Sequence, residues 1–82
     1  MSNEITSQVE RFKALAEFYL KNEKRIYVKD VNGQYFFADI ILVGEEVLTI
    51  QAFAPQHKAN QKFYLPWVSV VKLEEYLSGG KE

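Results

Sequence analysis

The chain has no cysteine, and its only histidine is His57. The first absence removes disulfides, thiolate metal sites and a cysteine nucleophile together. The second leaves too few ligands for zinc and too little for histidine-based catalysis. No metal and no cofactor are expected. No Gly-rich phosphate loop, nucleophile elbow or cluster of ligating residues is present, so the chain is not expected to be an enzyme. Only two prolines and four glycines punctuate the 82 residues, with no internal repeat and no low-complexity tract. No apolar run approaches the roughly 20 residues of a membrane span. The polar start Met1-Ser2-Asn3-Glu4 is unlike a signal peptide. A cytoplasmic protein with no membrane contact is the expectation. An excess of one charge is missing as well: the net charge is −1, so nucleic-acid binding would have to come from a local patch.

The chain is 48% hydrophobic and 15% aromatic, well away from disordered composition, and its length suits one domain. Residues 4–22 place Ile5, Val9, Phe12, Leu15, Ala16, Tyr19 and Leu20 at three- and four-residue spacing, one stripe of an amphipathic helix. Ser7 and Glu10 have capping-box spacing, Ser2 or Asn3 offer an earlier start, and Asn22 is a plausible stop. From Arg25 the pattern is β throughout. Strands are expected at 25–31, 34–43, 46–54, 62–65 and 68–73, with a flexible tail at 78–82. Asn32-Gly33 between the first two marks a tight hairpin whose two central residues take positive φ. The run Tyr35-Phe36-Phe37-Ala38-Asp39-Ile40-Ile41-Leu42-Val43 is nearly all apolar and needs cover on both faces. The helix is the candidate cover, with Tyr35 and Phe37 packed beneath it. One helix and five short strands, the second long enough to bend, predict a mainly β fold: an SH3-like, strongly bent, five-stranded antiparallel barrel over 25–73.

These residues resemble the Sm-like family, which includes the Sm and LSm proteins and bacterial Hfq. Ile26-x-Val28, Asn32-Gly33, Phe36, Ala38, Ile40, the Gly44-Glu45 turn and Leu48-x-Ile50 follow its first motif in order. Tyr64-Leu65-Pro66-Trp67-Val68-Ser69-Val70-Val71 is similar to the second motif of Hfq, with Tyr64 at the stacking tyrosine. The likeness spans residues 5–75. It implies an Sm-like barrel, a ring of five to seven copies of the chain, and binding of single-stranded RNA in RNA processing or regulation. Pairing of the fourth strand of one copy with the fifth of the next would close the ring, with Phe63, Leu65, Val68 and Val70 at the contact. The chain departs from the family at the turn that usually contacts RNA. There Gly44, Glu45 and Glu46 stand where Asp and Asn, or Gln and an aromatic, are usual.

The residues themselves offer Tyr64 and Trp67 for base stacking, and Arg25, Lys29, His57, Lys58 and Lys62 for phosphate. Lys24, Arg11 and Lys13 add to the basic set, which Glu10, Glu17 and Glu23 dilute. Trp67 after Pro66 is equally suited to filling the barrel end or a subunit contact. Glu45 and Glu46 fit a solvated turn better than paired acid–base carboxylates, because neighbours on an extended strand point to opposite faces. The alternative function is a non-enzymatic scaffold or protein-interaction module that kept the barrel and lost the RNA site.

Overall fold

The apolar stripe at helical spacing folds as one helix, α1 (Ser2–Lys21), in a computed structural model that describes residues 2–77, with side chains from residue 7 onward. The expected tail at 78–82 lies outside the described residues. The helix begins two residues before the expected start, so Ser7 and Glu10 lie within it and form no capping box. Once the preceding turn is helical, no orphan N–H remains there to cap. Asn22 does end the helix: its Nδ2 donates to the Phe18 carbonyl at 2.8 Å. The chain then reverses through Glu23, at φ 55°. Lys24 N–H donates to Tyr19 O at 2.8 Å and Glu23 N–H to Leu20 O at 3.1 Å. These two bonds form a Schellman close, a place that favours glycine because a Cβ is strained at positive φ. Glu23→Gly is therefore expected to raise stability by about 0.5–1 kcal/mol, read as a higher midpoint in urea at unchanged slope. A lower midpoint would show that the glutamate side chain contributes more than the strain costs.

The strands are β1 (Arg25–Asp30), β2 (Tyr35–Val43), β3 (Val47–Ala54), β4 (Lys62–Pro66) and β5 (Val70–Glu75). All pairings are antiparallel, in the order β4-β3-β2-β1-β5. The sheet does not close into the expected barrel. A 3₁₀ turn at Trp67–Ser69 carries the chain from one end of the sheet to the other. The two shortest-range candidates for closure, β4 and β5, thus end as opposite margins rather than partners. The same turn delays β5 from the expected start at 68 to Val70, and Glu74 and Glu75 extend that strand past its expected end at 73. Pro66 closes β4 from within it, opposite Val47 at the sheet's end.

The first hairpin also differs from expectation. Only Gly33, at φ 84°, has positive φ in the turn. Asp30 N–H donates to Gln34 O at 2.9 Å and Gly33 N–H to Asp30 O at 3.0 Å, so the loop is the three residues 31–33. This is the type I turn followed by a left-handed glycine, the next commonest hairpin after the two-residue form. The Asp30 carboxylate selects it by accepting from Asn32 N–H at 2.9 Å and Gln34 N–H at 3.0 Å.

Alternation sets the core. Ile26 and Val28 of β1, Phe36, Ala38 and Ile40 of β2, and Leu48, Ile50 and Ala52 of β3 point to one face. Leu65, Trp67, Val70 and Leu73 join them, and Ala16 and Tyr19 of α1 close the cluster from above. The helix therefore covers the face of β2 that carries Phe36, not the one with Tyr35 and Phe37. Burial raises the Tyr19 phenol above its ordinary value, with repulsion from Glu75 adding to it.

Candidate nucleic-acid interface

Every second residue of the sheet is left pointing away from the core, and the register places those residues in rows. Asp39 lies opposite Arg25 on one side and Gln51 on the other, and Gln51 lies opposite Lys62. Arg25, Asp39, Gln51 and Lys62 thus form one transverse row. It spans about 14 Å at the usual spacing between strands. Beside it, Tyr27 pairs with Phe37 and with Glu74. The next row pairs Lys29 with Tyr35 and with Lys72.

The aromatic members of these rows touch. Ring centroids lie 5.2 Å apart for Tyr27 and Phe37, 5.7 Å for Tyr35 and Phe37, and 6.2 Å for Tyr27 and Tyr35. Tyr76 leans over the end of the cluster, 5.0 Å from Phe37 and 5.4 Å from Phe53. The Arg25 guanidinium stacks 4.3 Å from the Phe53 centroid while its Nε donates to Asp39 Oδ1 at 3.2 Å. The second apolar face of β2 is thus covered by its own aromatic neighbours, which leave Tyr35 exposed and Tyr27 and Phe37 half-buried.

Charge on this face differs from that of the whole chain. Four cations (Arg25, Lys29, Lys62 and Lys72) stand against two carboxylates (Asp39 and Glu74), whereas the chain as a whole carries −1. Lys72 reaches Glu74 at 3.8 Å, an exposed pair worth well under about 1 kcal/mol. Among the described residues no carboxylate lies within ion-pair distance of Lys29. Lys29 and Lys72 are directly opposed across β1 and β5, and like charges so placed repel. An anion between them relieves that repulsion.

Of the residues named from sequence, Arg25, Lys29, Lys62 and Tyr64 come to this one face. Tyr64 is 66% exposed at its β4 end. His57 and Lys58 do not join them: they sit in a 3₁₀ turn at Gln56–Lys58. The Lys58 ammonium lies 4.6 Å from the Phe36 centroid, where it caps the core. Trp67 is not available for stacking. It is 2% exposed, and its Nε1–H donates to the Gly44 carbonyl at 2.9 Å. Gly44, Glu45 and Glu46 form a built turn in which Gly44 N–H donates to Val47 O at 3.0 Å and Trp67 N–H to Glu46 O at 3.0 Å. A Cβ at Gly44 would stand 2.8 Å from the Val47 oxygen, so glycine is required there. Glu45 reaches Lys13 of α1 at 3.5 Å. This turn offers carboxylates and structure, not a pocket. Among the residues named for a subunit contact, Leu65 and Val70 are buried in their own chain, Phe63 packs against the core, and Val68 alone is well exposed.

Sequence reasoning missed Tyr27, Tyr35, Phe37 and Lys72 as surface residues. The signal was present in the alternation at 25, 27 and 29 against 35, 37 and 39, once the hairpin register is known. Among the described residues no group of His, Asp or Glu is arranged to hold a metal, and no helix is long and apolar enough to cross a membrane. No family model matches the chain, and no curated protein is similar to it.

Proposed function

We propose that this chain is an Sm-like, ring-forming subunit that binds single-stranded RNA weakly on the outer face of its sheet and acts in RNA processing or regulation. The observation that carries the RNA reading is the run of touching rings at Tyr27, Tyr35 and Phe37, bordered by the opposed Lys29 and Lys72. Bases stack on such rings regardless of sequence, and lysines beside them take the backbone phosphates. The turn at Gly44–Glu46 is a poor place for RNA, because a ring repeats its carboxylates in every copy and repels phosphate. Assembly is supported by the strand order, which leaves β4 and β5 as the two margins of the sheet. An unpaired margin is a template for another chain.

The test is fluorescence anisotropy with labelled U-rich and A-rich single strands at low and moderate salt. Binding is expected at low salt and weakens steeply as salt rises. Tyr35→Ala is expected to lower affinity by roughly 5- to 150-fold, the loss of one stacked base. Lys29→Ala should reduce the salt slope by about one contact, while Glu45→Ala changes little. Absence of binding even at low salt would end the RNA reading. It would leave the scaffold reading, which the exposed apolar side chains Val31, Leu42, Val68 and Leu77 favour.

A further inference from the structure

The turn between β1 and β2 brings together a reactive dipeptide and a set of hydrogen bonds that restrain it. In an Asn-Gly pair the glycine nitrogen attacks the asparagine Cγ. The bond to the side-chain amide nitrogen breaks, ammonia leaves, and a five-membered succinimide forms. Water then opens either carbonyl of that ring, giving aspartate or isoaspartate. Glycine permits the closure because it has no Cβ to obstruct it. Here both residues are exposed, and a Cβ built at Gly33 would meet nothing within 4 Å. The Asn32 side-chain amide makes no hydrogen bond among the described residues. The attacking nitrogen, in contrast, is held: Gly33 N–H donates to Asp30 O at 3.0 Å. Asp30 Oδ1 also accepts from Asn32 N–H and Gln34 N–H, at 2.9 and 3.0 Å, which fixes the backbone on both sides of the reacting pair.

We propose that Asn32 is a site of spontaneous deamidation and that Asp30 is the residue that restrains it, so that conversion proceeds through local opening of the turn. Conversion replaces a neutral amide with a carboxylate at the apex of the hairpin. The isoaspartate product also adds a carbon to the main chain inside a three-residue loop. It breaks the match between Asp30 and Gln34, and with it the register that sets Lys29 beside Tyr35. The modification does not depend on whether the outer face binds RNA.

The full chain is held at physiological temperature and mildly alkaline pH, and peptide mass mapping follows the amide-to-acid change, with fragmentation separating aspartate from isoaspartate. Conversion is expected at Asn32 and not at Asn3, Asn22 or Asn60, which precede bulkier residues. It should run roughly tenfold slower or more in the folded chain than in denaturant, as a local opening step requires. Asp30→Ala should convert several-fold faster than the unaltered chain, with circular dichroism confirming that it folds. Asp30→Asn keeps the acceptor oxygen and should stay near the original rate. If Asn32 remains intact in the folded chain, with and without Asp30→Ala, over the time that fully converts the unfolded chain, the site is refuted. Equal rates in the folded and unfolded chains, or in Asp30→Ala and the unaltered chain, would refute the restraint.

Discussion

Trp67→Ala is expected to cost about 3–5 kcal/mol, the range for emptying a buried aromatic site. A domain of this length holds only about 4–12 kcal/mol in all, so the variant should sit at or near the edge of unfolding. The reason is that Trp67 joins three parts of the chain. Its ring is 2% exposed in the core, its Nε1–H bonds Gly44 O at 2.9 Å, and its own N–H bonds Glu46 O at 3.0 Å. The turn between β2 and β3 is thereby tied to the crossing between β4 and β5. Trp67→Phe separates volume from hydrogen bond. It keeps most of the ring, leaves the Gly44 carbonyl without its partner, and should cost about 1–3 kcal/mol. Both are read from urea unfolding followed by far-ultraviolet circular dichroism, since Trp67 is the only tryptophan and its fluorescence leaves with it. Measurement at several protein concentrations separates folding from assembly. A loss under about 1 kcal/mol for Trp67→Ala would mean that the core collapses around the site and that the turn stands without it.

The elements themselves were legible because their signals are local. The stripe from Val9 to Tyr19 could only be a helix, and the Asn-Gly pair punctuates the first two strands. What failed were decisions that local pattern leaves open. β2 is apolar on both faces, and hydrophobicity alone does not say which one turns inward. Phe36, Ala38 and Ile40 do so because they meet Ile26, Val28, Ile50 and Ala52 from neighbouring strands. Tyr35 and Phe37 then fall outside, and with them the rings of the candidate interface. The hairpin type turned on a side chain outside the dipeptide, the Asp30 carboxylate. Trp67 was open between core and ligand because a tryptophan after proline suits either. A single indole hydrogen bond to Gly44 decides it. Closure of the sheet is a property of its two margins, β4 and β5, which follow one another in the chain yet lie at opposite ends of the sheet, and their pattern carries no local mark of whether they meet.

Those margins give the last expected result: Val68→Asp with Val71→Asp should leave a folded monomer and abolish the proposed ring. β5 is one margin of the sheet; Val68, in the turn that leads into it, is 71% exposed, and Val71, within it, 45%. A groove of about 200 Å³ adjoins them, lined by Gln8, Val9, Trp67, Val68, Val70 and Val71. If β4 of another copy pairs there head to tail, both valines enter the contact, and repetition of the same step closes a ring. A carboxylate at either position would then be desolvated without a partner, at a cost of several kcal/mol per contact. In the free chain both positions face solvent, where substitution usually changes stability by about 0.5 kcal/mol or less. Leu65 and Val70 cannot serve for this test. Both are in the chain's own core, so altering them would unfold the subunit rather than separate it. Light scattering at micromolar concentration should give a multiple of the 9.5 kDa chain mass for the unaltered protein and a single chain mass for the double variant, with matching circular dichroism. A monomeric mass for the unaltered protein would end the ring reading. A double variant that still assembles would place the contact away from β5, since no apolar edge survives two buried carboxylates.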